Sequence, residues 1–160
     1  MTHVIGIDPG LVHTGCVSML FDRQLHTISV TYALVDGLDE QTTATWVQSF
    51  GDDPHVFVEA YRPRTRLDSD QRMVEGQARF RGALPNPVFL PNMGIKRIIP
   101  QQVMEVCGVW SFATPTHHQD LRSAARIALF GMVKNTSLNR VLSDAVKAHL
   151  SGTPWTVKHV

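Results

Sequence analysis

Asp8, Glu59 and Asp120 are the residues of this chain best placed to do chemistry. Asp8 follows a short apolar run at residues 3–7, Glu59 closes the run Val56-Phe57-Val58, and Asp120 falls in the first turn of a long helical stretch. An acid at the end of a buried-type strand is costly to hold alone, so it points to a cleft containing a cation. His117 lies three residues before Asp120, which puts the two on one helix face, whereas His118 points about two hundred degrees away from Asp120 at the usual 3.6 residues per turn. Three carboxylates and one imidazole could hold one or two Mg²⁺ ions, because hard divalent cations choose oxygen ligands. Each acid also has a plainer reading: an Asx-turn at Asp8, an ion pair with a neighbouring arginine at Glu59, a favourable helix-dipole charge at Asp120. Taken together they match what a two-metal phosphoryl-transfer site needs, which is acids brought from several elements.

A basic segment adjoins these acids. Residues 1–60 carry eight acids and one base, residues 61–100 carry eight bases and three acids, and the last sixty carry six bases and three acids, so the net charge of +1 conceals a strong asymmetry. Arginine dominates the middle segment, and its planar fork suits phosphate oxygens. Arg62, Arg64 and Arg66 follow Glu59 directly, with Tyr61 as a candidate stacking partner for a splayed base. Arg72, Lys96 and Arg97 extend the basic candidates for nucleic-acid contact. An arginine-rich loop is often merely solvated; the adjacent acids are what favour nucleic acid. The remaining histidines, His13 among them, have no repeated ligand spacing and read as structural or surface residues.

The elements that must position these groups follow from pattern. The chain has 160 residues, 43% hydrophobic and 18% charged, enough to close one core without a disulfide framework. Cys16 and Cys107 read as buried free thiols, and no targeting or membrane-spanning run is present, so a soluble cytoplasmic chain is expected. Strands are predicted over 3–7, 14–20 and 25–33, the latter two as a hairpin, then a helix over 39–50 and a strand over 55–59. Residues 61–67 read as an exposed loop. Helices follow over 68–82, 101–107, 117–133 and 137–150, with one short strand at 87–91 and a Gly-Pro tail carrying Trp155. The order predicts an α/β arrangement in one unit over 1–160, with its catalytic core at 3–133 and a C-terminal helix at 137–150.

Ile5-Gly6-Ile7-Asp8-Pro9-Gly10 with Thr14-Gly15 resembles the first motif of the RuvC family of Holliday junction resolvases. Val56-Phe57-Val58-Glu59 resembles that family's second acidic strand end, Glu75-Gly76-Gln77-Ala78-Arg79 its following helix, and His117-His118-Gln119-Asp120 its last motif. The resemblance covers residues 3–133. It implies a ribonuclease H-like fold: a five-stranded mixed sheet, its first three strands antiparallel, with helices on both faces. It also implies a homodimeric Mg²⁺-dependent endonuclease, in which Mn²⁺ substitutes, that nicks four-way DNA junctions in pairs and leaves 5′ phosphates, with the helix near residues 69–82 at the dimer interface. Asp8, Glu59 and Asp120 match the family's metal-binding acids and His117 its fourth catalytic position. The chain is short for the family, which points to a viral or mobile-element variant working in a bacterial host's cytoplasm. Two alternatives stand beside this reading: a ribonuclease H-like nuclease for flap, hybrid or other branched substrates, and an inactive junction-binding protein in a register that puts Ser123 at the last acid position.

Overall fold

The computed structural model describes residues 1–51, 53–64 and 68–160. Twelve elements follow in chain order: β1 (Thr2–Asp8), β2 (His13–Asp22), β3 (Thr27–Asp36), α1 (Glu40–Gln48), β4 (His55–Ala60), α2 (Asp68–Ala83), β5 (Val88–Pro91), α3 (Ile95–Ile98), α4 (Gln101–Val106), α5 (His118–Lys134), α6 (Thr136–Leu150) and β6 (Thr156–His159). The strands form one mixed sheet in the order β5-β4-β1-β2-β3-β6. β2 runs antiparallel to both β1 and β3, while β4 runs parallel to β1, β5 to β4, and β6 to β3.

Period-two alternation decides which helices cover which face. In β1, Val4 and Gly6 face the layer of α3 to α6, while Ile5 and Ile7 pack with Val47, Val56, Val58 and Phe80 under α1 and α2. The larger core lies on the α5 side, where Phe21, Phe57, Met104, Leu121 and Leu129 are buried together. Helix α5 lies almost against the sheet. A Cβ on Gly6 would come 1.8 Å from the Ala124 carbonyl oxygen, and one on Gly15 would come 2.4 Å from that of Asp120. The alanines at 124, 125 and 128 permit this approach, and all three are fully buried. Gly6→Ala is therefore expected to destabilise the fold by about 3 kcal/mol, because the backbone of α5 cannot give way as a flexible side chain would. A thermal melt should show a Tm lower by about 10 °C; an unchanged Tm would contradict so close a packing.

Two expectations need correction. The sheet has six strands, not five, because Thr156–His159 in the expected tail adds to β3. Trp155 anchors it: the indole is buried, stacks on His26 and meets Phe21 edge-on. The third strand also starts later and ends later than expected, at Thr27 and Asp36. Asp22 Oδ1 accepts from the Gln24 and Leu25 N–H groups at 2.9 and 3.0 Å, so residues before Thr27 belong to the turn. α3 was absent from the expected elements; at four residues it is too short to show a periodic pattern. Both cysteines are free and buried, and burial pushes each thiol up to about 12. Among the described residues, no helix is long and apolar enough to cross a membrane.

Candidate active site

Asp8 and Glu59 reach the same place because their strands are in parallel register, with Ile7 paired to Val58 one step before them. Asp8 has the parity of Val4 and Gly6, and Glu59 that of Phe57, so both belong to the face covered by α5. Gly15 pairs with Asp8 across β2 and lets the start of α5 close in over it. Asp120, in the first turn of α5, is thereby brought near enough for its charge to act on Asp8. Thr14 braces the turn beyond β1: its buried hydroxyl donates to the Gly37 carbonyl at 2.7 Å, and the Gly10 N–H approaches it at 3.4 Å.

The electrostatics of this convergence are unfavourable for the acids alone. Burial first, then a hydrogen bond to Glu59, then the charges of Glu59 and Asp120, push the Asp8 carboxyl up to about 10. Glu59 also accepts a hydrogen bond from the Asn92 amide, just beyond β5. Among the described residues, no three or more His, Cys, Asp or Glu side chains stand close enough together to hold a metal ion as they are; Asp8 and Glu59 lie within hydrogen-bond reach of each other. A set of hard oxygen donors crowded together with no cationic side chain paired to Asp8 or Glu59 among the described residues is the chemistry a divalent cation would satisfy, so the residues fit such an ion.

His117 caps α5 in the left-handed region, at φ 64°, and its Nδ1 lies 3.4 Å from Asp120 Oδ2. His118 turns away, with Nε2 2.6 Å from the Thr114 carbonyl oxygen and its ring against Phe112. His13, read from sequence as structural or surface, packs against His117 with ring centroids 4.1 Å apart and the rings tilted by 59°, and its Nδ1 lies 3.5 Å from Asp36. Its place at the start of β2, two residues before the glycine under Asp120, is the one signal that could have found it. Asn92 carried no signal at all, since only the β4–β5 pairing brings it to Glu59.

The basic candidates divide among three surfaces. Tyr61, Arg62 and Arg64 line a groove of about 920 Å³ that also contains Asp8 and Glu59. The Tyr61 hydroxyl is tied to Asp70 of α2, so the ring is held against that helix. Lys96 and Arg97 line a smaller cleft on the other side of Glu59. Arg72 is not with either group: it lies in a shallow groove with Gly37, Glu75 and Arg79. Arg66 lies outside the described residues.

No protein-family model matches the chain, and no curated protein matches it in sequence. Solved structures do match its fold. The chain is similar to Thermus thermophilus RuvC in complex with a Holliday junction substrate, at 14% identity and a TM-score of 0.60, over 97% of this chain and 99% of that one. A second T. thermophilus RuvC structure matches at 16% identity and 0.51, over 96% and 99%. The yeast mitochondrial Holliday junction resolvase Ydc2 matches at 13% identity and 0.56, over 89% and 84%. The fold is ribonuclease H-like, as these resolvase structures are.

Proposed function

We propose that this protein is a metal-dependent endonuclease that cuts four-way DNA junctions. The observation that carries the reading is that Asp8 and Glu59 end two paired parallel strands side by side, with Asp120 in the first turn of α5 near enough for its charge to raise the Asp8 carboxyl. The fold likeness supports it: two of the matched structures are named as Holliday junction resolvases or bound to that junction. Asp8, Glu59 and Asp120 would hold Mg²⁺, with Mn²⁺ as a substitute and His117 as the fourth partner at the edge. When two such ions are bound, they supply an activated water and neutralise charge on the leaving 3′ oxygen, so that hydrolysis leaves a 5′ phosphate.

The chain's own residues do the rest. Asp8, its carboxyl raised by burial and by the charges of Glu59 and Asp120, would give up its proton when a cation binds and then serve as the central negative donor. Asp120, 3.4 Å from His117 Nδ1, favours the tautomer with its proton there and leaves Nε2 free to orient or deprotonate the water. Asn92 steadies Glu59 from the far side. Arg62 and Arg64 flank the groove where the sugar-phosphate backbone would pass. A homodimer completes the proposal, because symmetric resolution of a junction needs two such sites.

Mapping the cuts on labelled four-way junction, linear duplex, flap and RNA–DNA hybrid with Mg²⁺ tests the function. Paired, symmetric nicks confined to the junction are expected. Preference for flap or hybrid would move the assignment to another ribonuclease H-like nuclease, and tight junction binding with no cutting in either Mg²⁺ or Mn²⁺ would make it a binding protein. Changing Arg62 and Arg64 together to alanine is expected to weaken junction binding about tenfold and to flatten its dependence on salt by one to two phosphate contacts, since each lost contact releases fewer counterions. A fluorescence anisotropy titration across salt concentrations reads both quantities.

A further inference from the structure

On the far side of Glu59 and Asn92 from the large groove lies a cleft of about 230 Å³, with Lys96, Arg97, Ser123 and Arg126 among its lining. Arg126 is the anomaly there. It stands in the middle of α5, within a run of buried residues from Ala124 to Met132, and is itself only 7% exposed. Its Nε donates to the Ile99 carbonyl at 3.1 Å. Among the described residues, no carboxylate lies within ion-pair distance of its guanidinium and no further hydrogen bond to it is found. A buried cation without a counter-charge is costly unless an anion arrives.

The surroundings say which anion. Lys96 and Arg97 are exposed beside the opening, so three cations face one acid, Glu59. The volume is below the range usual for drug-sized ligands, while a guanidinium fork is matched to phosphate oxygens. Glu59 and Asn92 line both this cleft and the large groove, so a strand lying across the acids continues from one into the other. We propose that this cleft is a phosphate subsite in which Arg126, with Lys96 and Arg97, takes the backbone phosphate next to the one cut. The inference rests on the nuclease reading for its substrate, but the anion site itself does not.

Arg126→Met keeps the packing volume and removes the charge; Lys96→Ala with Arg97→Ala removes two exposed charges and leaves the core alone. Two measurements separate the questions. In the first, inorganic phosphate is added without DNA: the wild-type Tm is expected to rise, the rise to vanish in Arg126→Met, and to shrink in the double variant. In the second, junction binding is titrated against salt in an Asp8→Asn background, where Arg126→Met is expected to weaken binding about tenfold and lower the salt slope by about one. A full phosphate response together with an unchanged slope in folded Arg126→Met overturns the subsite. If Arg126→Met does not fold, an unaltered phosphate response in the double variant overturns it. Loss of the phosphate response in a chain that binds no junction at all would leave the subsite standing and remove the nuclease reading.

Discussion

Replacing Asp8 with asparagine is expected to abolish junction nicking, by about a thousandfold or more, while junction affinity stays within a few-fold of wild type. The amide fills the same space and is neutral, as the Asp8 carboxyl already is when it shares a proton with Glu59. Folding should therefore survive the change. On the proposed reading, what is lost is the central negative donor of the cation site, and cations in such sites contribute several kcal/mol of transition-state stabilisation, which converts to about three decades of rate. On the proposed reading, binding rests instead on Arg62 and Arg64 along the groove, which the change leaves in place. Single-turnover cleavage and an anisotropy titration on the same protein make the test, and full turnover by Asp8→Asn would remove Asp8 from the reaction.

Stability without divalent cations should fall as the pH rises. Asp8 has a folded-state value near 10 against an ordinary carboxyl value near 4, so between these limits the folded protein holds a proton that the unfolded chain has released. The stabilisation is complete below about pH 4 and is lost as the pH climbs toward 10. One such proton sets a limiting slope of about 1.4 kcal/mol per pH unit, and solvent at the cleft mouth reduces it, so the loss from pH 6 to pH 8.5 is of the order of 1–2 kcal/mol, or about 5 °C in Tm. Mg²⁺ is expected to reverse the sign of this dependence, because the proposed site would bind it more strongly once the acids are deprotonated at higher pH. Melts in EDTA and in Mg²⁺ at pH 6 and 8.5 are expected to show the larger Mg²⁺ gain at pH 8.5, and Asp8→Asn to abolish both trends. A wild-type Tm that ignores pH and Mg²⁺ alike would mean that these carboxyls do not share one site.

Much of this arrangement was readable from one-dimensional pattern. Ile5-Gly6-Ile7-Asp8 and Val56-Phe57-Val58-Glu59 show apolar strands ending in acids, and the small and apolar residues around Ala124, Ala125 and Ala128 show a long helical stretch. These are local signals, because strand alternation, helix periodicity and turn chemistry act over a few residues. β6 escaped because four residues after a Gly-Pro turn carry no alternation of their own; their strand exists only because β3 offers an open edge and Trp155 a buried anchor.

The side chains that surround the acids escaped for the same reason. Asn92 meets Glu59 only through the β4–β5 register, His13 meets His117 only because β2 begins beneath the cap of α5, and Arg126 is buried only because α5 lies flat on the sheet. Residue type and spacing were enough to name the acids Asp8, Glu59 and Asp120, since an acid that closes a buried strand or opens a buried helix is costly wherever the chain later puts it. Which groups answer that cost is a matter of contacts between residues tens of positions apart, and such contacts come into being only when strands take their register and α5 closes over Gly6 and Gly15.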